Sequence, residues 1–223
     1  MEGDVHNQCS KPAVYFQQSR SEMLKYVPID AKKALELGCA CGNFSELVKT
    51  KLGAECWGVE MSEEAARVAV KKLDRVINAD VNECLDDIPD RYFDCIICND
   101  FLEHLVDPYS LLIRLKDKLT DKGVVIASFP NIRYWRNLFE LVVCGNWDYQ
   151  DYGILDKTHL RFFTYKSLVK MFPRLGYELL IIEPLPPCPT ITSKVIKILN
   201  IVFLNKFKDT RYHHFACVAR PVR

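Results

Sequence analysis

Three features of the sequence predict an α/β fold built on a doubly wound sheet. Ala34, Leu35 and Leu37 form a short apolar strand that stops at Gly38, and from Gly42 onward Phe44, Leu47, Val48 and Leu52 recur at the spacing of an amphipathic helix. A second apolar strand, Cys56 to Val59, ends in Glu60, roughly twenty residues beyond the turn, where nucleotide-binding βαβ units place an acidic residue. Phe93 to Cys98 is an almost continuous apolar run, which suits a strand covered on both faces.

Composition sets the outer limits. The 223 residues accommodate one α/β domain with an insertion and fall short of two independent cores. A chain 49% hydrophobic and 26% charged has no reason for extensive disorder. Thirty basic against twenty-nine acidic residues leave a formal charge of +1, so there is no field for a polyanion and no nucleic-acid partner is expected. Ten cysteines are scattered through apolar strands with no secretory leader ahead of them, which fits reduced thiols and a cytoplasmic location better than a disulfide framework. Cys95 and Cys98 share C-x-x-C spacing, but an extended strand sends them to opposite faces, and no metal site is expected. No apolar run is long enough for a transmembrane helix.

Taken in order, residues 1–12 are polar and patternless and read as a loose tail. Val14, Phe16, Met23, Leu24 and Val27 predict a helix over 14–27. Gly38 lets the first strand turn, and the following helix start offers bare backbone N–H groups to a ligand. Ser62 is a good N-cap with Glu63 and Glu64 in the first turn of a helix to about Leu73. Arg75 to Asn78 make a third strand, which leads into Asp80 and Val81, and Asp86 to Asp90 a turn.

The fourth strand, Phe93 to Cys98, ends in Asn99-Asp100-Phe101-Leu102-Glu103-His104-Leu105, the end at which ligands of open α/β sheets sit. Pro108 opens a helix through Leu119, and Lys122-Gly123 turns the chain into a fifth strand, Val124 to Phe129. The segment 132–163 is an aromatic insertion of the kind that forms a substrate lid. Its Arg133, Trp135, Arg136, Trp147, Tyr149 and Tyr152 suit a planar or sugar-like acceptor, while Tyr134, Leu138, Leu141 and Val142 at helical spacing equally suit a packed face. Thr164 caps a helix to about Arg174, and Tyr177 to Ile182 supply a sixth strand. Residues 190–208 are strongly apolar and predict a cover helix over the protein's own pocket. A membrane surface or a second subunit, and hence a homodimer, stay open as alternatives. His213 to Ala219 form the last strand.

The string Glu36-Leu37-Gly38-Cys39-Ala40-Cys41-Gly42, followed by Glu60, resembles the first motif of the class I S-adenosylmethionine-dependent methyltransferases, roughly E/D-x-G-x-G-x-G, with Ala40 in place of the middle glycine. A dinucleotide-dehydrogenase loop would read G-x-G-x-x-G, and a P-loop would carry Lys followed by Ser or Thr. Glu103-His104-Leu105 resembles the small-molecule branch, and the N-P-P-Y-like string of enzymes that methylate DNA bases is absent. Asp156-Lys157-Thr158-His159-Leu160-Arg161-Phe162-Phe163-Thr164 resembles methyltransferases of glycan and surface-polysaccharide pathways.

The resemblance implies a Rossmann-like sheet of seven mostly parallel strands, with an insertion after strand 5 and the last strand antiparallel between the fifth and sixth. It also implies S-adenosylmethionine as cofactor, S-adenosylhomocysteine as product, and a small-molecule acceptor such as a sugar or another hydroxyl-bearing metabolite. By the same resemblance Glu36 and the Gly38, Cys39, Ala40 and Gly42 backbone meet the methionine portion. Glu60 and Met61 lie at the ribose, Asp80 and Val81 at the adenine, Tyr15 and Arg20 at the methionine carboxylate, and Asn99 beside the sulfonium end. Asp80 could instead simply cap the next segment.

An oxygen acceptor must lose a proton, and histidine suits that role because its unperturbed pKa lies close to neutrality. His159 is the preferred base and His104 the second, although either ring could instead serve a loop hydrogen bond. Two rivals stand beside this reading. One is a nicotinamide-dependent oxidoreductase on a Rossmann sheet, disfavoured by the glycine spacing, and the other a non-catalytic relative that binds the cofactor.

Overall fold

The computed structural model describes residues 19–185 and 205–223. Seven strands, β1 (Lys33–Leu37), β2 (Glu55–Glu60), β3 (Arg75–Asn78), β4 (Phe93–Asn99), β5 (Leu119–Pro130), β6 (Tyr177–Pro184) and β7 (His214–Pro221), form one sheet in the order β3-β2-β1-β4-β5-β7-β6. The first five are mutually parallel, and β7 runs antiparallel to both β5 and β6. The strand order reverses between β1 and β4, and the crevice beyond the carboxyl ends at such a point is where open α/β sheets bind ligands.

The described residues form six helices, α1 (Asn43–Leu52), α2 (Glu63–Ala69), α3 (Val81–Cys84), α4 (Pro108–Lys118), α5 (Trp135–Val142) and α6 (Tyr165–Arg174). Alternation along each strand splits the core into two layers. Leu35, Ile96, Cys98 and Val125 pack with Leu111, Leu115 and Phe172 on one face. Ala34, Cys95, Ile97 and Ile126 pack with Phe44, Val48 and Met23 on the other. Cys95 and Cys98 thus lie on opposite faces, and the eight described cysteines are free thiols.

Several boundaries differ from the expectation, each for a local reason. In the described part of 14–27 the chain forms only a short 3-10 turn, Ser21–Tyr26, anchored by the fully buried Met23. α2 stops at Ala69, not Leu73, because Asp74 draws the chain back toward β2. Its carboxylate accepts from the Cys56 N–H at 2.9 Å and from Lys49 Nζ at 2.7 Å. β5 begins at Leu119, which pairs with Phe93 before a register shift. Gly123 suits this bend, since a Cβ there would stand 2.8 Å from the Phe93 carbonyl oxygen.

In the insertion no residue of α5 is buried, and Phe139, Leu141 and Val142 are exposed, so of the packed face the spacing allowed only Tyr134, just ahead of the helix and against His213, is buried. The two ends of the insertion are joined, with the Ile132 N–H donating to the Phe163 carbonyl at 3.1 Å. Asn205–Phe207 form a turn and Lys208–Arg211 a 3-10 helix, so the predicted cover helix does not reach Lys208. Its residues 190–204, the 1–12 tail and Tyr15 lie outside the described residues. Among the described residues no helix is long and apolar enough to cross a membrane.

Candidate active site

The turn from β1 into α1 is a cradle of left-handed residues. Gly38, Ala40 and Gly42 have φ of 68°, 47° and 74°. A Cβ on Gly38 would fall 2.5 Å from Phe101 Cδ2, so glycine is required there for space as well as for conformation. Ala40 holds the same hand with a side chain, at a conformational cost of about 1 kcal/mol. The Gly38 and Cys39 N–H groups donate to the Val59 carbonyl at 2.9 and 3.1 Å, which locks the turn to the end of β2.

Glu60 completes the lock. One carboxylate oxygen accepts from the Ala40 N–H at 2.8 Å and the other from the Ser62 N–H at 2.8 Å. Burial pushes its carboxyl pKa up, opposed by these same hydrogen bonds. Asn78 Nδ2 donates to the Glu60 and Met61 carbonyls at 2.8 and 3.1 Å, so the end of β3 positions the acidic residue.

Inside the cradle Glu36 is buried and held by Ser45 Oγ at 2.7 Å and Asn99 Nδ2 at 3.3 Å. Burial raises its carboxyl pKa to about 7. Asn99 Oδ1 is buried without a hydrogen-bond partner among the described residues. An acceptor oxygen beside a carboxylate, at the mouth of a cradle of backbone, fits the ammonium and amino-acid end of S-adenosylmethionine.

These groups open on a cavity of about 340 Å³. Glu36, Gly38, Cys39, Ala40, Asn99, His104 and His159 all line it, so seven of the residues expected at the site converge. Gly42, Glu60 and Met61 are not among the residues that line it. Burial pushes the Cys39 thiol far up, which makes it a packing group. Asp80 is a cap, accepting from the Asn82 N–H at 2.8 Å, and the Val81 side chain is buried in the core. Arg20 does reach the cavity, but its guanidinium is ion-paired with Asp100 and lies 3.3 Å from His214 Nε2. Burial and the Arg20 charge hold the His214 pKa well below its ordinary value, so the ring is neutral and its 3.7 Å approach to Asp100 is not an ion pair.

The opposite wall comes from the end of β4 and the end of the insertion. The Leu160 and Arg161 N–H groups donate to the Glu103 carbonyl at 2.8 and 3.0 Å, docking the returning chain on the 3-10 turn Leu102–His104. His159 and His104 meet edge to face with ring centroids 4.7 Å apart, and His159 Nε2 lies 4.0 Å from the buried Glu103 carboxylate. His159 Nδ1 is 3.0 Å from the Ile154 carbonyl, and His104 Nδ1 is 3.3 Å from the Thr158 carbonyl and 3.0 Å from its hydroxyl. Carbonyls only accept, and the Thr158 hydroxyl donates to Asp156 at 2.7 Å, so both Nδ1 atoms carry the proton.

Of the aromatic residues expected to touch an acceptor, Tyr152 alone lines this cavity among the described residues. Arg133 pairs with Asp209 at 3.1 Å, and Trp147 packs on Phe162. A larger cleft of about 510 Å³ lies beside α6, lined by Tyr109, Lys166 and Lys170, and holds none of the expected site residues. Asp100, Glu103, Asp156 and His214 line the cavity without having been singled out. The D-x-x-E-H string after an apolar strand is a signal that would have found the first two; nothing in the sequence marks His214.

The profile of a family described as a methyltransferase domain matches residues 12–181. The ubiquinone biosynthesis O-methyltransferase of Pasteurella multocida is 31% identical over 131 residues, covering 52% of this chain and 53% of the relative. That of Histophilus somni is 34% identical over 123 residues, covering 51% and 50%. The chain spans about half the length of the curated relatives it matches. An S-adenosylmethionine-dependent methyltransferase from Archaeoglobus fulgidus superposes with a TM-score of 0.69 at 24% identity, covering 89% of this chain and 91% of that one. The chain therefore belongs to the methyltransferase domain family and has the fold of the class I S-adenosylmethionine-dependent methyltransferases.

Proposed function

We propose that the chain moves the methyl group of S-adenosylmethionine to a hydroxyl oxygen of a small-molecule acceptor, a sugar or another hydroxyl-bearing metabolite. The observation that carries this reading is one cavity with a cradle for an amino-acid nucleotide on one wall and two histidines on the other. The named O-methylation of the curated relatives supports an oxygen acceptor. When bound, the cofactor supplies a methyl carbon already activated by its sulfonium, so placement and exclusion of water can do much of the catalytic work.

The chain's own residues divide the task. Glu36 and Asn99 receive the ammonium, the Gly38 to Gly42 backbone and Cys39 the methionine portion, and Tyr15 its carboxylate. Glu60 and Met61 flank the ribose, and Asp80 and Val81 the adenine. His159 Nε2 takes the acceptor proton in the metal-free protein, with the Glu103 carboxylate stabilising the imidazolium, and His104 is the second base. The insertion 132–163 acts as the acceptor lid of a single domain that works in the cytoplasm.

Calorimetry with S-adenosylmethionine and with NAD, followed by transfer of labelled methyl to pools of hydroxylated metabolites, tests the proposal. Binding of the first cofactor only and label in an ether product are expected. Preference for NAD, or cofactor binding without transfer to any acceptor, overturns it.

A further inference from the structure

The acceptor wall holds a group of side chains with more than acid–base chemistry in reach. One donor atom from each of Glu103, His104 and His159 lies within 4.8 Å of the others. We propose that these three residues bind a divalent first-row transition-metal cation at the acceptor end of the cavity. Two imidazole nitrogens and one carboxylate oxygen are the donor set that favours such ions over magnesium or calcium. Three protein ligands leave coordination positions open toward the cavity.

The surroundings of the two rings fit the assignment. Each Nδ1 is committed to an acceptor, Ile154 O for His159 and the Thr158 carbonyl and hydroxyl for His104. Asp156 in turn fixes Thr158, accepting from its N–H at 2.9 Å and its hydroxyl at 2.7 Å. Outer hydrogen bonds of this kind set the tautomer and orientation of metal-ligating histidines, which then coordinate through Nε2. His159 Nε2 lies 4.0 Å from a Glu103 carboxylate oxygen, a separation that a bound cation can bridge. Adjacent ligands of a bound cation stand about 3 Å apart, so binding draws these atoms together by about 1 to 2 Å. Rotation of side chains from two separate loops can supply that movement.

The role of the cation rests on the proposed methyl transfer, although its binding does not. Coordination of the acceptor hydroxyl lowers its pKa, and the proton leaves to solvent water. The oxygen electron pair then forms the bond to the methyl carbon, and the C–S pair returns to sulfur, converting sulfonium to thioether. In the loaded protein His159 is thus a ligand, where in the metal-free protein it is the base.

The test uses the full chain stripped with chelator and titrated with manganous chloride alone, read by calorimetry and by electron spin-echo modulation. One equivalent should bind, with modulation from imidazole nitrogen. His159→Ala and His104→Ala should each weaken binding at least tenfold, and Thr158→Val, which loosens one ring, by a smaller factor. His104 is only partly buried, so its variant keeps the test if His159→Ala fails to fold. No saturable binding below about 1 mM, no nitrogen modulation, or an affinity unchanged in the histidine variants overturns the proposal. Cofactor affinity is measured separately on the stripped chain. Cofactor binding without manganese binding removes the metal alone, whereas manganese binding without cofactor binding removes the methyl-transfer reading alone.

Discussion

The two walls of the cavity are built in different ways. Only twenty residues separate Ala40 from Glu60, and their contact is a backbone N–H meeting a carboxylate at the ends of neighbouring parallel strands. On the facing wall fifty-four residues separate His104 from Thr158, and the contacts are between side chains and loops. The first wall is continuous with the core, where Leu35, Leu37 and Val59 are almost wholly buried. The second depends on an insertion whose residues 143–153 are nearly all exposed. Cofactor affinity should therefore follow the strands and turnover the insertion.

The largest effect should come from the facing wall. His159→Ala is expected to lower kcat by about 10²–10⁴ while S-adenosylmethionine affinity stays within about twofold, measured by steady-state kinetics and calorimetry. Equal losses in both would show that the walls are one unit. Next, Glu36 gives the cradle a pH signature. Its folded pKa is about 7 against an ordinary 4.5, so between those values the folded state keeps a proton that the unfolded state has released. Its contribution to stability thus falls as pH rises through this window and is level above it. Glu36→Gln should remove a slope totalling about 3 kcal/mol, read from urea unfolding at pH 5 and pH 8. An unchanged slope would place the cradle's pH response elsewhere.

Glu60→Ala should weaken S-adenosylmethionine about 10- to 100-fold, with kcat at saturating cofactor largely kept, because two backbone donors lose their acceptor along with the ribose. A collapse of kcat instead would mean that the cradle also shapes the acceptor wall. The smallest change is Ala40→Gly, which relieves a left-handed alanine and should raise stability by about 0.5–1 kcal/mol, or about 1–3 °C in Tm. A lower Tm would show that the Ala40 methyl packs usefully.

The same contrast explains what could be read in the sequence. Gly38, Ala40, Gly42 and Glu60 were legible because strand, turn, helix and second strand follow one another, and local spacing determines what meets. Cys95 and Cys98 fell on opposite faces by the strict period of a strand. Glu103 sits in a readable D-x-x-E-H string, but neither its contacts nor the place of His214 in the site were legible. Their partners arrive from the insertion and from β7, and no periodicity encodes a contact across such separations. Asp80 shows a third case, in which one short carboxylate suits both a cap and a ligand: its Oδ1 caps α3, and the adenine contact is the proposed second use. The packed face allowed along α5 held only at Tyr134 and failed at Leu141 and Val142, because helical spacing describes a stripe without naming what covers it.

β7 lies between β5 and β6, although it follows both in the chain. A polypeptide emerging from the ribosome therefore cannot add β6 to the sheet in the order of synthesis. Until residues 214–221 appear, β5 presents a bare hydrogen-bonding edge and β6 has no neighbour within the sheet. His213 and His214, which line the cavity, arrive with the same strand. A nascent chain interrupted before this point would carry the whole glycine cradle yet lack the two histidines that this segment brings to the cavity.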